Sequence, residues 1–171
     1  MRRVIYLLLI GSVFVLLSCR ESSSPQEANE KLSAEQLAEI NRQLLIKDRE
    51  RIVSYITRKD LDMKETDTGL WISSEAGNGN IKEGDRVTLE YTCSLLDGTL
   101  VYKSDEDGLM IFQVGKSDIP AGIDEGVKML GEGSEAVMIL PGYLGYGLLG
   151  DEKKIPARSI LVYKIKVLDV N

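Results

Sequence analysis

Histidine is absent from the 171 residues, and cysteine occurs twice, as Cys19 and Cys93. Without histidine the chain lacks the usual general base near neutral pH and the commonest metal ligand. Two cysteines cannot supply a four-thiolate zinc site, so neither a metal nor another cofactor is expected. Phenylalanine occurs twice and tryptophan once, against seven tyrosines, so any ring-lined site must rely on tyrosine. Basic residues are also in the minority, 21 against 27 acids. An acidic chain with no basic patch argues against nucleic acid as a partner. No apolar run reaches the roughly 20 residues that a membrane-spanning helix needs; the run at 4–17 has 14.

What is present begins with that run. Arg2 and Arg3 precede it, and Leu16, Leu17 and Ser18 lead into Cys19. A basic start, a short apolar stretch and a small residue before a cut describe a secretory signal over 1–18. Leucine three places and serine one place before Cys19 resemble a bacterial lipobox, which implies lipidation of Cys19 and attachment to a membrane. Several acyl chains at about 0.8 kcal/mol per methylene anchor a protein stably. Loss of Arg2 and Arg3 with the leader leaves 19 basic residues against 27 acids, a charge of −8. Lipid rather than charge would then hold the chain at the membrane. If Cys19 carries lipid, Cys93 has no disulfide partner, and its place in an alternating strand points to burial as a small hydrophobe.

Residues 19–32 are polar and read as a tether. Ser33 and Gln36 form a capping-box pattern, and Leu37, Ile40, Leu44, Ile52, Tyr55 and Ile56 recur near one face of a helix predicted over 34–58. The charged stretch 47–51 reads as a solvated face. This helix packs either on its own domain or on a second copy, a homodimer. The segment 33–66 is assigned to the helical part and 67–171 to a second domain of strand texture. Strands are predicted at 69–74, 86–96, 110–114, 134–140 and 160–170, with turns at 77–80 and at Asp97-Gly98. A short helix is expected over 124–130, opened by Asp124 and Glu125 at its positive end. The fold class is α+β: an antiparallel sheet wrapped around a short helix, preceded by one N-terminal helix.

Two stretches add a resemblance. Residues 90–104 read EYTCSLLDGTLVYKS and residues 141–147 read PGYLGYG. With Ile155, Pro156 and the closing strand, they resemble in order and spacing the FKBP-type peptidyl-prolyl cis-trans isomerases, over roughly the last hundred residues. The resemblance implies an FKBP-like fold and action on proline-containing polypeptide clients. It implies catalytic roles for Tyr91 and Tyr146. It also implies a substrate pocket of Val101, Tyr102, Met110, Ile119, Pro120, Ile123, Ile155 and Tyr163. Several of these depart from the family pattern. Val101, Met110 and Ile123 stand where rings are usual, Tyr102 where aspartate is, and Tyr163 where phenylalanine is. Pro120 falls where a backbone N–H commonly meets ligand, and proline has none. The reading is a lipid-anchored isomerase of the cell envelope, at the outer membrane facing the periplasm. The alternative is a catalytically weak chaperone or partner-binding module on the same fold.

Overall fold

The computed structural model describes residues 32–73, 79–116 and 118–171. The signal 1–18, Cys19, nearly all of the tether and the start of the 77–80 turn lie outside the described residues. Internal contacts divide the chain into Met1–Leu37 and Ala38–Asn171. In the first unit the predicted cap is formed. The Ser33 hydroxyl accepts the Gln36 N–H at 3.2 Å, and the Gln36 side chain accepts the Ser33 N–H at 2.8 Å.

The cap opens helix α1, Ala34–Lys59. It is followed by strands β1 (Met63–Glu65), β2 (Trp71–Ser73), β3 (Arg86–Leu95) and β4 (Leu100–Lys103), then one helical turn, α2 (Ser104–Asp107). Strand β5 (Met110–Gln113), helix α3 (Ala121–Val127), strand β6 (Glu135–Leu140) and strand β7 (Leu161–Val170) complete the order. All pairings are antiparallel, in the order β1-β2-β6-β7-β3-β4, with β5 also paired to β3.

Period-two alternation gives this sheet two apolar faces. On the inner face Val87, Leu89 and Cys93 of β3, Met138 and Leu140 of β6, and Leu161, Tyr163 and Ile165 of β7 pack with Ile123 and Val127 of α3. On the outer face Ile139 of β6 and Val162 of β7 meet Ile52 of α1, with Trp71, Tyr55 and Ile56 around them. The sheet wraps α3 as expected. Gly126 lets α3 pack closely there, since a Cβ would come within 2.4 Å of the Met138 terminal carbon and that side chain would have to shift.

Four expectations change. The short helix begins at Ala121, not Asp124, because the Pro120 carbonyl accepts the Ile123 and Asp124 N–H groups at 2.9 and 3.2 Å. Asp124 keeps its place in the first turn, where its carboxylate accepts the Gly115 N–H at 2.6 Å and pairs with Lys128 at 2.9 Å, while Glu125 falls beyond that turn. The predicted stripe on α1 is covered only in its second half. Ile52 is fully buried, while Leu37 and Ile40 are 52% and 45% exposed. The charged stretch 47–51 is not merely solvated, since Asp48 pairs with Arg158 at 3.3 Å and Arg49 with Glu65 at 2.6 Å.

Candidate functional site

The inner face carries one row of residues in register across four strands. Met138 of β6 stands opposite Tyr163 of β7, Tyr163 opposite Cys93 of β3, and Cys93 opposite Tyr102 of β4. Register shifts between Cys93 and Ser94, so Val101 is the extra residue on β4. Such a bulge re-aims side chains that strict alternation would send to opposite faces. Here Val101 is buried in the inner cluster and its neighbour Tyr102 packs against the same cluster.

Val101, Ile123, Ile155 and Tyr163 form a floor, with exposures of 6%, 0%, 3% and 1%. Tyr91, Tyr102, Met110, Ile119 and Tyr146 are partly buried against it and form a rim. Thus the candidate residues other than Pro120 share one apolar cluster. Pro120 is buried at the mouth of α3, where it serves as the helix cap with φ −52° and ψ 130°. Little of the floor is open, so a ligand ring would rest mainly on the rim.

The polar groups of the site are tyrosine hydroxyls and one carboxylate. Burial pushes the Tyr163 phenol well above its ordinary range, with the Tyr146 hydroxyl and the Cys93 thiol as its polar neighbours. The Tyr91 ring lies 6.2 Å from that of Tyr163, tilted by 36°, a spacing at which ring pairs attract. Burial raises the Cys93 thiol to about 11, so this cysteine is an inert core residue, as expected.

Asp151 is the feature the sequence reading missed. The Tyr102 hydroxyl donates to its carboxylate, a bond that raises the Tyr102 phenol to about 12. Burial works against ionisation of Asp151, but the Tyr102 hydroxyl and the N–H groups of Ile155, Lys153 and Lys154 outweigh it and hold the carboxyl at about 2. An aspartate opening a turn is a weak sequence signal, and nothing local points to a tyrosine 49 residues away. Phe112, buried in the same cluster, was also absent from the expected set.

These features match a known family. Residues 77–168 fit the FKBP-type peptidyl-prolyl cis-trans isomerases. The chain belongs to that family. A probable FKBP-type isomerase of Haemophilus influenzae is 35% identical over 116 residues, covering 66% of this chain and 47% of its own length. FK506-binding protein 1A of Emericella nidulans is 34% identical over 101 residues, 58% of this chain and 94% of that protein. The chain thus spans about half the length of the Haemophilus relative. Two crystal structures share the fold. FkpA from Escherichia coli superposes with a TM-score of 0.59 at 24% identity, over 82% of this chain and 74% of that one. An isomerase from Pseudomonas syringae gives 0.62 at 18% identity, over 76% and 95%.

Proposed function

We propose that this FKBP-family protein catalyses cis-trans isomerisation of X–Pro bonds in unfolded polypeptide clients. The observation that carries the reading is the convergence of nine candidate side chains on one apolar floor and rim. Rotation about an X–Pro bond crosses a barrier of about 18–20 kcal/mol because it breaks amide resonance. A dry apolar seat that suits the twisted amide better than the planar one lowers that barrier without a base. Tyr146 on the rim would donate to the carbonyl of the bound peptide, and Tyr91 would wall the ring.

The missing rings at Val101, Met110 and Ile123 and the closed floor support slow turnover. They equally support the second reading, a chaperone-like binding module on the same fold. Protein purified in detergent should accelerate isomerisation of an X–Pro tetrapeptide, and Tyr146→Phe should lower kcat/KM about fivefold, the loss expected for one donor of about 1 kcal/mol. A wild-type rate equal to the uncatalysed one at high enzyme concentration sinks the isomerase reading and leaves the binding module.

The proposed setting is the cell envelope, with Cys19 lipidated and Arg20 after it favouring the outer membrane facing the periplasm. Cys19→Ala should release the protein from the membrane fraction; unchanged partition without lipid on the N-terminal peptide refutes the anchor. A homodimer through α1 is proposed on the exposed Leu37, Ile40, Leu45 and Ile46, and sedimentation at micromolar concentration tests it.

A further inference from the structure

The turn that carries Ile155 closes on itself through its backbone. The Arg158 N–H donates to the Gly147 carbonyl at 2.9 Å, and the Asp151 N–H to the Ile155 carbonyl at 3.2 Å. Its tip faces outward, with Leu148 and Leu149 71% and 78% exposed. Asp151 is the hub. One carboxylate oxygen accepts the N–H groups of Lys153, Lys154 and Ile155 at 3.0, 3.0 and 2.7 Å. The other accepts the Tyr102 hydroxyl from β4. The Lys154 ammonium stands 4.5 Å over the Tyr102 ring and 3.3 Å from Asp107 at the end of α2.

A turn of this shape needs one side-chain oxygen. The second oxygen, aimed at Tyr102, is not required by the turn; it ties the turn to the opposite rim of the pocket. The Lys154–Asp107 pair is half exposed and weak by itself, whereas a hydroxyl donating to a carboxylate is among the stronger hydrogen bonds. Asp151 therefore reaches two pocket residues at once. It holds Ile155 by its backbone and Tyr102 by its hydroxyl.

We propose that Asp151 is a positioning residue of the isomerase site: through the Tyr102 hydroxyl it pins the 147–158 turn to β4 and fixes Ile155 at the working distance from the tyrosine rim. This inference rests on the isomerase reading. Asp151 touches no reacting atom. It acts by removing motion between two walls that must close on a proline ring, where a misplacement of about 1 Å can cost 100-fold in rate.

The test measures kcat and KM on an X–Pro tetrapeptide for wild type, Tyr102→Phe, Asp151→Asn and the double variant, with urea unfolding of each. Asn keeps an oxygen for the three N–H groups, and Phe keeps the ring, so both singles should fold. Each single is expected to lower kcat/KM about five- to tenfold, mainly in kcat, with the double no worse than the poorer single, because both remove the same bond. Hydrogen exchange of the Ile155 amide should quicken in Tyr102→Phe. Losses that multiply in the double, or a Tyr102→Phe enzyme as active as wild type, overturn the assignment. If wild type is inactive, the isomerase reading falls on its own. The Ile155 amide then decides the clamp: faster exchange in Tyr102→Phe supports it, and unchanged exchange refutes it.

Discussion

The two faces of the sheet are built from the same strands and held in different ways. On the inner face α3 and the strands bury a continuous cluster that includes Ile123, Leu140, Leu161 and Tyr163. On the outer face four buried residues, Ile52, Ile139, Ile160 and Val162, make a small contact beneath α1. Charge completes that contact. Arg49 pairs with Glu65 at 2.6 Å and lies 5.8 Å from the Trp71 ring, and Asp48 pairs with Arg158 at 3.3 Å. The inner face is therefore specified mainly by apolar volume, and the outer one by a small apolar seat with a charged border. It follows that α1 can loosen without loss of the inner core, whereas no inner residue can be lost so locally.

The sharpest way to break that contrast is to cut volume from each face. Ile123→Ala, beneath the rim, should cost about 3–5 kcal/mol, since α3 is enclosed on the inner side and cannot collapse into the gap. Ile52→Ala should cost about 2–3 kcal/mol, because the helix can shift to cover part of the cavity. Urea unfolding followed by tryptophan fluorescence and by native-state hydrogen exchange separates the two. After Ile52→Ala, the Trp71 signal, which reports the contact beneath α1, should change before exchange protection of β3 and β7 is lost. One coincident transition for both variants would show that the faces form a single cooperative unit.

Much of this division was legible in the sequence. Val87, Leu89, Cys93 and Leu95 alternate, and the structure puts them on the inner side of β3. Ser33 and Gln36 announced the start of α1 and make both expected bonds. The short strands β1 and β4 and the single turn α2 were not foreseen, since each is too short to show a clear period. The start of α3 lies ahead of the acids that point to a positive helix end, because Pro120 caps the helix and its carbonyl accepts the Ile123 and Asp124 N–H groups. The site divides the same way. Its rim and floor positions follow from the family motif. The Val101 bulge and the Tyr102–Asp151 bond depend on register and on a distant partner, which no local pattern encodes.

A smaller effect tests the charged border of the outer face. Asp48 is well covered, with a side-chain exposure of 13%, and pairs with Arg158 and Arg51. Asp48→Asn should therefore lower stability by about 0.5–1 kcal/mol, near the upper end for ion pairs close to a surface. The loss should shrink in high salt, where screening shortens to about 3 Å at 1 M. A salt-independent loss would mean that Asn disturbs packing, and that charge does not hold α1.

A last effect belongs to the inner side and depends on acid. Asp151 is held at about 2 in the folded protein, below the roughly 3.9 of an unfolded aspartate. Its ionised form is thus favoured by folding. The stability it contributes is complete above about pH 4 and is lost as pH falls from there toward 2. Asp151→Asn removes that contribution, so the variant's urea midpoint should decline less steeply than wild type between pH 4 and 2, while both follow the same course from pH 5 to 8. Other carboxylates titrate in the same window, Asp107 among them, lowered first by the Lys103 N–H and further by Lys154. The comparison must therefore be between the variant and wild type at each pH. If the two curves stay parallel down to pH 2, the Asp151 carboxylate is no better satisfied in the fold than in water. The tie between Tyr102 and the turn would then confer geometry without stability.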